Sequence, residues 1–485
     1  MKDIKRDNQE LNIRMIINAS SFLNIHWLPN RIFLLTALFF GILMVFITPP
    51  FQAPDEDAHF LRAYAIAEGR FINQLSQSIT DTGDMLPKSL LQTVEQSGSY
   101  RIRNHPDEKL HLRTIVSLFR IPLNPEDREF VTLYLASYPP IMFIPQAAGI
   151  WIGRIFRFPP IVLMYLGRLF NLGCWILLIA AALRLLPVFK WTILVLALMP
   201  MSVFISASLS ADTLANAGAI LFVALILHFM FSEKKLGKNE ITMLFLAGGL
   251  TALCKQVYAP LLLLSFFIPV QKYKSKRSFV LISSMLVLTG IMVSFLWSQL
   301  LLHGYPFNLK TAEDLRIIRD ARPEAKTQFI MTYPFFHIRS VLHTIIRDMP
   351  RYIRTFTGTL GWLDTPLPRV ITYSYPVVLL TMAMTDHKQP TMINWKHKLG
   401  IILFVIIPVL LILFTAAAIA WNPPGSMYIK GIQGRYFIPI APVLLLLFYN
   451  QKFKTSLDQL SFLIGSYTWL TLVITTLTLI YRYYS

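Results

Sequence analysis

Three carboxylates, an imidazole and a guanidinium fall together at Asp55-Glu56-Asp57-Ala58-His59-Phe60-Leu61-Arg62, directly after the apolar run Ile32 to Ile47. Pro54 suits the first position of a helix, the acids suit its first turn, and Gly69 offers a left-handed stop. In such a helix Asp55 and His59 are four apart and Arg62 is three further on, so an acid, an imidazole and a guanidinium share one face. A carboxylate kept ionised by the helix dipole would serve as a general base or a cation ligand. A charged helix start beside a membrane, with no chemistry, has the same residues, and the stretch alone does not separate the two.

The rest of the chain says what must hold that stretch in place. Of 485 residues 54% are hydrophobic and only 15% charged, where a soluble chain carries about a quarter charged. Mean hydropathy is +0.52. Apolar runs of about 20 residues recur, each able to cross ~30 Å of hydrocarbon, so the expected class is an all-α integral membrane protein. The net charge of +19 does not point to nucleic acid, because Lys and Arg collect in short loops between the runs. Cys174 and Cys254 both sit inside apolar runs and imply neither a disulfide framework nor a thiolate metal site.

Residues 1–31 read as a cytoplasmic segment and 32–485 as one polytopic membrane domain. Eleven spans are expected, at about 32–48, 161–183, 191–207, 213–231, 241–254, 257–270, 279–300, 370–385, 399–420, 436–449 and 460–480. Two large external loops, about 50–160 and 301–369, separate them. The proline-interrupted piece 141–156 is expected to lie on the outer surface. With it outside, every loop facing the cytoplasm is basic, including Arg184 and Lys190, Lys234 to Lys238, Lys272 to Arg277, Lys388 to Lys398, and Lys452 with Lys454.

That threading gathers polar groups at the outer face: the Asp55 stretch, Asp212, Lys255 with Gln256 and Tyr258, Asp364, and Gln433, Arg435 and Tyr436. Acids that activate a nucleophile and cations that hold a phosphate are what a catalytic site just outside hydrocarbon requires. Each has a plainer reading. Asp212 also suits a helix cap, Lys255 a snorkelling lysine, and Arg435 a headgroup contact. Both cations nevertheless run against the bias of positive charge to the inside. The glycines of Gly431-Ile432-Gln433-Gly434-Arg435 allow close backbone approach to a ligand. Arg168 and Asn171 fit an interhelical hydrogen bond or a lipid phosphate contact. His105, Asp107, Glu108 and His111 have loose metal-ligand spacing that reads better as a solvated loop.

Pro54-Asp55-Glu56, His59-Phe60, Arg62-Ala63-Tyr64, Tyr138-Pro139-Pro140, Ser208-Leu209-Ser210-Ala211-Asp212, Gly361-Trp362-Leu363-Asp364 and Gln433-Gly434-Arg435-Tyr436-Phe437-Ile438-Pro439 together resemble a bacterial membrane-protein family called domain of unknown function 2142. The resemblance runs from about residue 35 to 450. That family is similar in architecture to GT-C glycosyltransferases, which move a sugar from a polyprenyl-phosphate carrier to an acceptor at the outer face. The resemblance implies Asp55 as the first-loop catalytic acid, with Glu56 as competitor, and Asp212 as the second-loop acid. His59, Arg62, Lys255, Gln256, Gln433, Arg435 and Tyr436 are the expected substrate-binding groups. Asp55 and Asp212 would suit Mg2+ or Mn2+, with metal use left open.

The implied reaction is an inverting transfer from a lipid-linked donor to a glycan, lipid or protein acceptor, in the bacterial cytoplasmic membrane with the N-terminus cytoplasmic. Two other classes compete. A transporter or flippase of lipid-linked saccharide would use the acids to bind and release, but charges at mid-membrane and inverted repeats are then expected. A polysaccharide polymerase or ligase would use late-loop arginines such as Arg339, Arg347, Arg351 and Arg354, which leaves the early acid without a role.

Overall fold

In the computed structural model the described residues are 28–72, 74–75, 82–304, 323–386, 393–450 and 457–484. The N-terminal residues before 28, Lys388, Lys452 and Lys454 lie outside them. The chain is predominantly helical. Its longer helices are α1 (Leu28–Ile47), α2 (Glu56–Ala67), α3 (Ile144–Ile155), α4 (Pro160–Leu185), α5 (Asp212–Phe231), α6 (Lys238–Cys254), α7 (Lys276–Gly304), α8 (Pro334–Thr357), α9 (Arg369–Thr385), α10 (Ile407–Trp421) and α11 (Leu457–Tyr483).

Six helices among the described residues are long and apolar enough to cross a membrane: Pro29–Ile47, Pro160–Leu185, Asp212–Phe231, Lys276–Leu300, Trp395–Trp421 and Phe462–Tyr483. They coincide with the first, second, fourth, seventh, ninth and eleventh expected spans. The other five expected spans fall on short or broken helices. Residues 191–207 divide at Pro200 into Lys190–Ala197 and Pro200–Ser206. Residues 257–270 largely form a 3-10 helix, Gln256–Phe267, with Pro260 inside it. Residues 436–449 begin as a 3-10 helix, Gly434–Ile440, and continue as Ala441–Leu446. The remaining two fall on α6 and α9, of 17 residues each. Backbone breaks of this kind survive in lipid only where protein covers them or they line a cavity. Two of them are where Lys255 and Arg435 emerge.

Burial ranks the long helices. In Asp212–Phe231 83% of the most apolar window is buried inside the protein, against 17% in Lys276–Leu300. The helix headed by Asp212 is therefore the central post, and α7 is a peripheral one.

Hydrogen bonds between the loops sort them by end. His228 Nδ1 lies 2.8 Å from Leu185 O, and Leu236 N donates to Lys272 O over 2.8 Å. Thr192 N donates to Asp386 Oδ2 over 2.9 Å, and Lys398 Nζ to Tyr449 O over 2.8 Å. The described parts of the five basic loops thus meet at one end of the molecule. The acid-bearing loops meet at the other.

That second end carries a small cap, which adds a little sheet to a chain that is mostly helical as expected. Strands β1 (Gln74–Leu75), β2 (Thr82–Pro87) and β3 (Arg128–Thr132) form an antiparallel sheet with Asp84 opposite Val131. Glu68 ties the cap to α2 and α3 by accepting from Arg128 at 2.6 Å and Arg154 at 3.0 Å. A second hairpin pairs β4 (Thr359–Leu360) with β5 (Thr365–Pro366) around Gly361-Trp362-Leu363-Asp364. Trp362 Nε1 donates to Phe51 O over 3.2 Å, and Arg482 Nη2 to Asp364 Oδ2 over 2.6 Å, so the hairpin bolts the second large loop to the first and to α11. Both ends of α3 stay at this cap, through Gln146 to Leu209 O at 3.3 Å and Arg154 to Ala67 O at 2.7 Å.

Candidate functional site

The acidic stretch folds differently from its sequence reading in one respect. Helix α2 begins at Glu56, not Pro54, and Asp55 is its N-cap in the left-handed region at φ 56°. Left-handed backbone is costly for most residues and tolerable for Asp or Asn. The helical relation survives, since His59 N donates to Asp55 O over 2.9 Å.

Glu56 explains why the turn holds. It is fully buried, and Arg168 clamps it with Nε on Oε1 at 2.8 Å and Nη2 on Oε2 at 2.6 Å. The same guanidinium donates to the carbonyls of Val45 at 2.8 Å, Thr48 at 2.7 Å and Pro49 at 2.8 Å, capping the end of α1. Leu209 N adds a 3.1 Å bond to Glu56 Oε1. One ion pair therefore ties α1, α2, α4 and the loop before Asp212. From α4, Asn171 Nδ2 donates to Ser208 O at 2.7 Å and to Thr213 Oγ1 at 3.0 Å, the interhelical role.

Asp212 receives the two cations the sequence singled out. Lys255 Nζ lies 2.5 Å from Oδ1, and Arg435 Nε lies 3.7 Å from Oδ2. Side-chain exposures of 13% for Asp212, 18% for Lys255 and 7% for Arg435 place the triad out of bulk water without sealing it. Tyr436 sits against both cations, its ring centre 4.8 Å from Lys255 Nζ and 5.4 Å from Arg435 Cζ. Tyr258 Oη donates to Tyr436 O over 2.8 Å and fixes that residue. Burial, the largest single influence, works against the Lys255 charge, but Asp212 together with Tyr138, Tyr258 and Tyr436 outweighs it and holds the ammonium protonated well above the usual lysine range.

Asp55 faces water on one side, and the protein wall on the other still desolvates it. That desolvation raises its pKa, Arg435 pulls it back, and Asp57 and Asp212 push it up again. Burial thus works against the helix dipole, and Asp55 is a stronger base than an ordinary aspartate. His59 is buried against Phe143, ring centres 5.7 Å apart, and its Nδ1 has no hydrogen-bond partner among the described residues. Burial lowers its pKa to about 3, against a smaller upward pull from Asp212. Between about 6.5 and that value the unfolded chain takes a proton the folded chain refuses, so acid erodes stability by roughly 3 kcal/mol from pH 7 to pH 4. His59→Gln should flatten this loss, read as unfolding midpoints at the two pH values.

Not every expected residue joins. Arg62 turns away to donate to Phe71 O at 2.8 Å, and Gln256 Nε2 reaches Ser294 O at 2.9 Å on α7. Gln433 is half-buried beside Gly434, and Arg339, Arg347 and Arg354 are exposed on α8. Glu108 pairs with Arg101 at 2.6 Å. Among the described residues no three His, Cys, Asp or Glu side chains gather to hold a metal ion. Asp212, with a cation on each oxygen, is a poor divalent ligand. The cap-side role of Tyr138, whose ring centre lies 5.9 Å from Lys255 Nζ, went unassigned in the sequence although its Tyr-Pro-Pro motif was visible.

Gly434 holds the Arg435 segment against α8: its N donates to Thr355 Oγ1 over 2.7 Å, and an added Cβ would lie 2.0 Å from Tyr352 O and 2.3 Å from Phe356 N. Those are backbone atoms that cannot rotate away. Gly434→Ala should therefore cost about 1–3 kcal/mol or more, visible as a lowered melting midpoint in detergent.

A cavity of about 460 Å³ opens beside the triad. Lys255, Tyr138, Tyr258 and Tyr436 line one part, and Trp297 with the α10 face Leu413, Ala416, Ala417, Ala420 and Trp421 lines the rest. It joins a cationic end to an apolar slot. In comparison with known proteins, the family described as "Predicted membrane protein (DUF2142)" matches residues 38–444. No curated protein and no solved structure matches the chain.

Proposed function

Since the chain belongs to the DUF2142 family of predicted membrane proteins, we propose that it is a GT-C-like glycosyltransferase, inverting, which takes a sugar from a polyprenyl-phosphate donor at the outer face of the bacterial cytoplasmic membrane. The single observation that carries the reading is the cavity: a protonated lysine and three tyrosines at one end, an apolar helix face along the other. A phosphate on an isoprenoid chain has the same division of chemistry.

In this reading the acid-bearing end faces out, the basic loops face the cytoplasm, and the chain crosses eleven times with the N-terminus inside. Alternation of the loop ends supports that count. Asp55 takes the proton of the acceptor hydroxyl as its oxygen attacks the anomeric carbon. The bond from that carbon to the phosphate oxygen breaks, and the leaving phosphate gathers negative charge. Lys255 and Arg435 stabilise it, in a site shielded enough for charge to count. Asp212 holds the two cations at the right spacing, and His59 offers its free Nδ1 to a sugar hydroxyl. Glu56, with both oxygens on Arg168, does no proton transfer.

The test is transfer by purified protein in liposomes carrying polyprenyl-phosphate sugars. Inverted product from one donor supports the reading. Proton-coupled movement of the lipid-linked sugar with no new glycosidic bond would replace it with the flippase.

A further inference from the structure

Helix α8 spans 24 residues and supplies no side chain to the cavity. His337 Nε2 lies 2.8 Å from Thr415 Oγ1, while the Tyr352 ring centre lies 6.3 Å from that of Phe414. Residues 337 and 352 are about 22 Å apart along α8, yet they meet adjacent residues of α10. The two helices therefore cross steeply. Because α10 belongs to the candidate span Trp395–Trp421, α8 runs across the axis of that span, about 9 Å before its end.

Its faces agree with such a pose. His337, Ser340, Val341, Thr344 and Tyr352 are buried in the protein. Opposite them Phe335, Ile338, Leu342, Ile346 and Met349 form a stripe at three- and four-residue spacing, exposed by 84%, 41%, 55%, 76% and 46%. One flank carries Arg339, Arg347 and Arg354, all exposed, and the only acid of α8, Asp348, is buried and takes a 2.5 Å hydrogen bond from Tyr428 Oη. The other flank, with Ile345, Met349, Ile353 and Phe356, opens on an apolar groove of about 420 Å³ shared with Leu379, Leu410 and Phe437. A protein-facing side, water-side arginines, an outward apolar stripe and a hydrocarbon-side groove are the four-way division of a helix lying in an interface.

We propose that α8 is an in-plane helix whose arginine flank binds anionic phospholipid headgroups, with bilayer hydrocarbon covering its exposed stripe. The charge of the flank selects the partner: exposed positive charge, with no exposed acid on α8 itself, attracts phosphate near a membrane surface.

The inference is independent of the enzymatic reading, and so is its test. Full-length protein is placed in nanodiscs of phosphatidylcholine with and without phosphatidylglycerol, and bound lipid is counted by native mass spectrometry. Wild type should retain phosphatidylglycerol preferentially, and Arg339→Gln/Arg354→Gln, which leaves Arg347 over the Tyr428 ring, should retain it roughly thirtyfold more weakly. Equal retention by both proteins would overturn the arginine role. A nitroxide on Ile346→Cys should collide with oxygen and not with a water-soluble nickel chelate. Shielding from both would mean a protein covers the stripe, a second copy included, and collision with nickel would mean water does; either overturns the proposal.

Discussion

Arg168→Met should lower the stability of the folded protein by about 3–5 kcal/mol, the largest loss expected of any single substitution outside the apolar core. The reason lies in what is left behind. Glu56 would be left at zero exposure with no counter-ion, and the carbonyls of Val45, Thr48 and Pro49 would lose their donors. Adding Glu56→Gln to that variant should recover part of the loss, because a neutral amide tolerates burial better than an orphaned carboxylate. Urea-free thermal unfolding in detergent measures both. A single variant that melts with wild type would show that the pair is not the hinge joining α1, α2, α4 and the Asp212 loop.

Asp55→Asn should cut sugar transfer by about 10²–10⁴-fold while leaving the melting midpoint within a degree or two. Asparagine tolerates the left-handed backbone at φ 56°, so the substitution removes the proton acceptor without adding strain. Donor binding should persist, since Lys255 and Arg435 stay in place. The wild-type profile carries a second check. With its pKa raised, Asp55 is protonated at a higher pH than an ordinary aspartate, so transfer should begin to fall on acidification earlier than the usual carboxylate range predicts. Transfer by the variant at the wild-type rate would take the base away from this residue.

What could be seen in advance divides by sequence distance. Six long apolar helices were legible because each carries its own signal within one window. The meeting of Asp212, Lys255 and Arg435 was legible as a shared face, since the alternation of basic loops fixes it. Their contact was not, because no local pattern sets a distance between residues so far apart. Glu56 shows the limit plainly. Beside Asp55 it looks like an equal competitor, and only Arg168, 112 residues on, turns it into a buried tie. Strand β2 was missed for another reason: Thr82-Gly83-Asp84-Met85-Leu86-Pro87 has a glycine and a proline and little alternation, so its pairing with β3 is decided by the cap around it.

The half-length helices on either side of Lys255 have a consequence for how the chain is made. A 17-residue helix ending at Cys254 and a proline-bearing 3-10 turn that follows it are weak candidates to enter a bilayer alone, the more so with an ammonium between them. They would be released from the ribosome's translocation channel only together, with the aspartate heading α5 already waiting to neutralise that ammonium. Lys255→Leu should then speed insertion while removing one of the site's two cations, so that biogenesis and chemistry pull this one position in opposite directions.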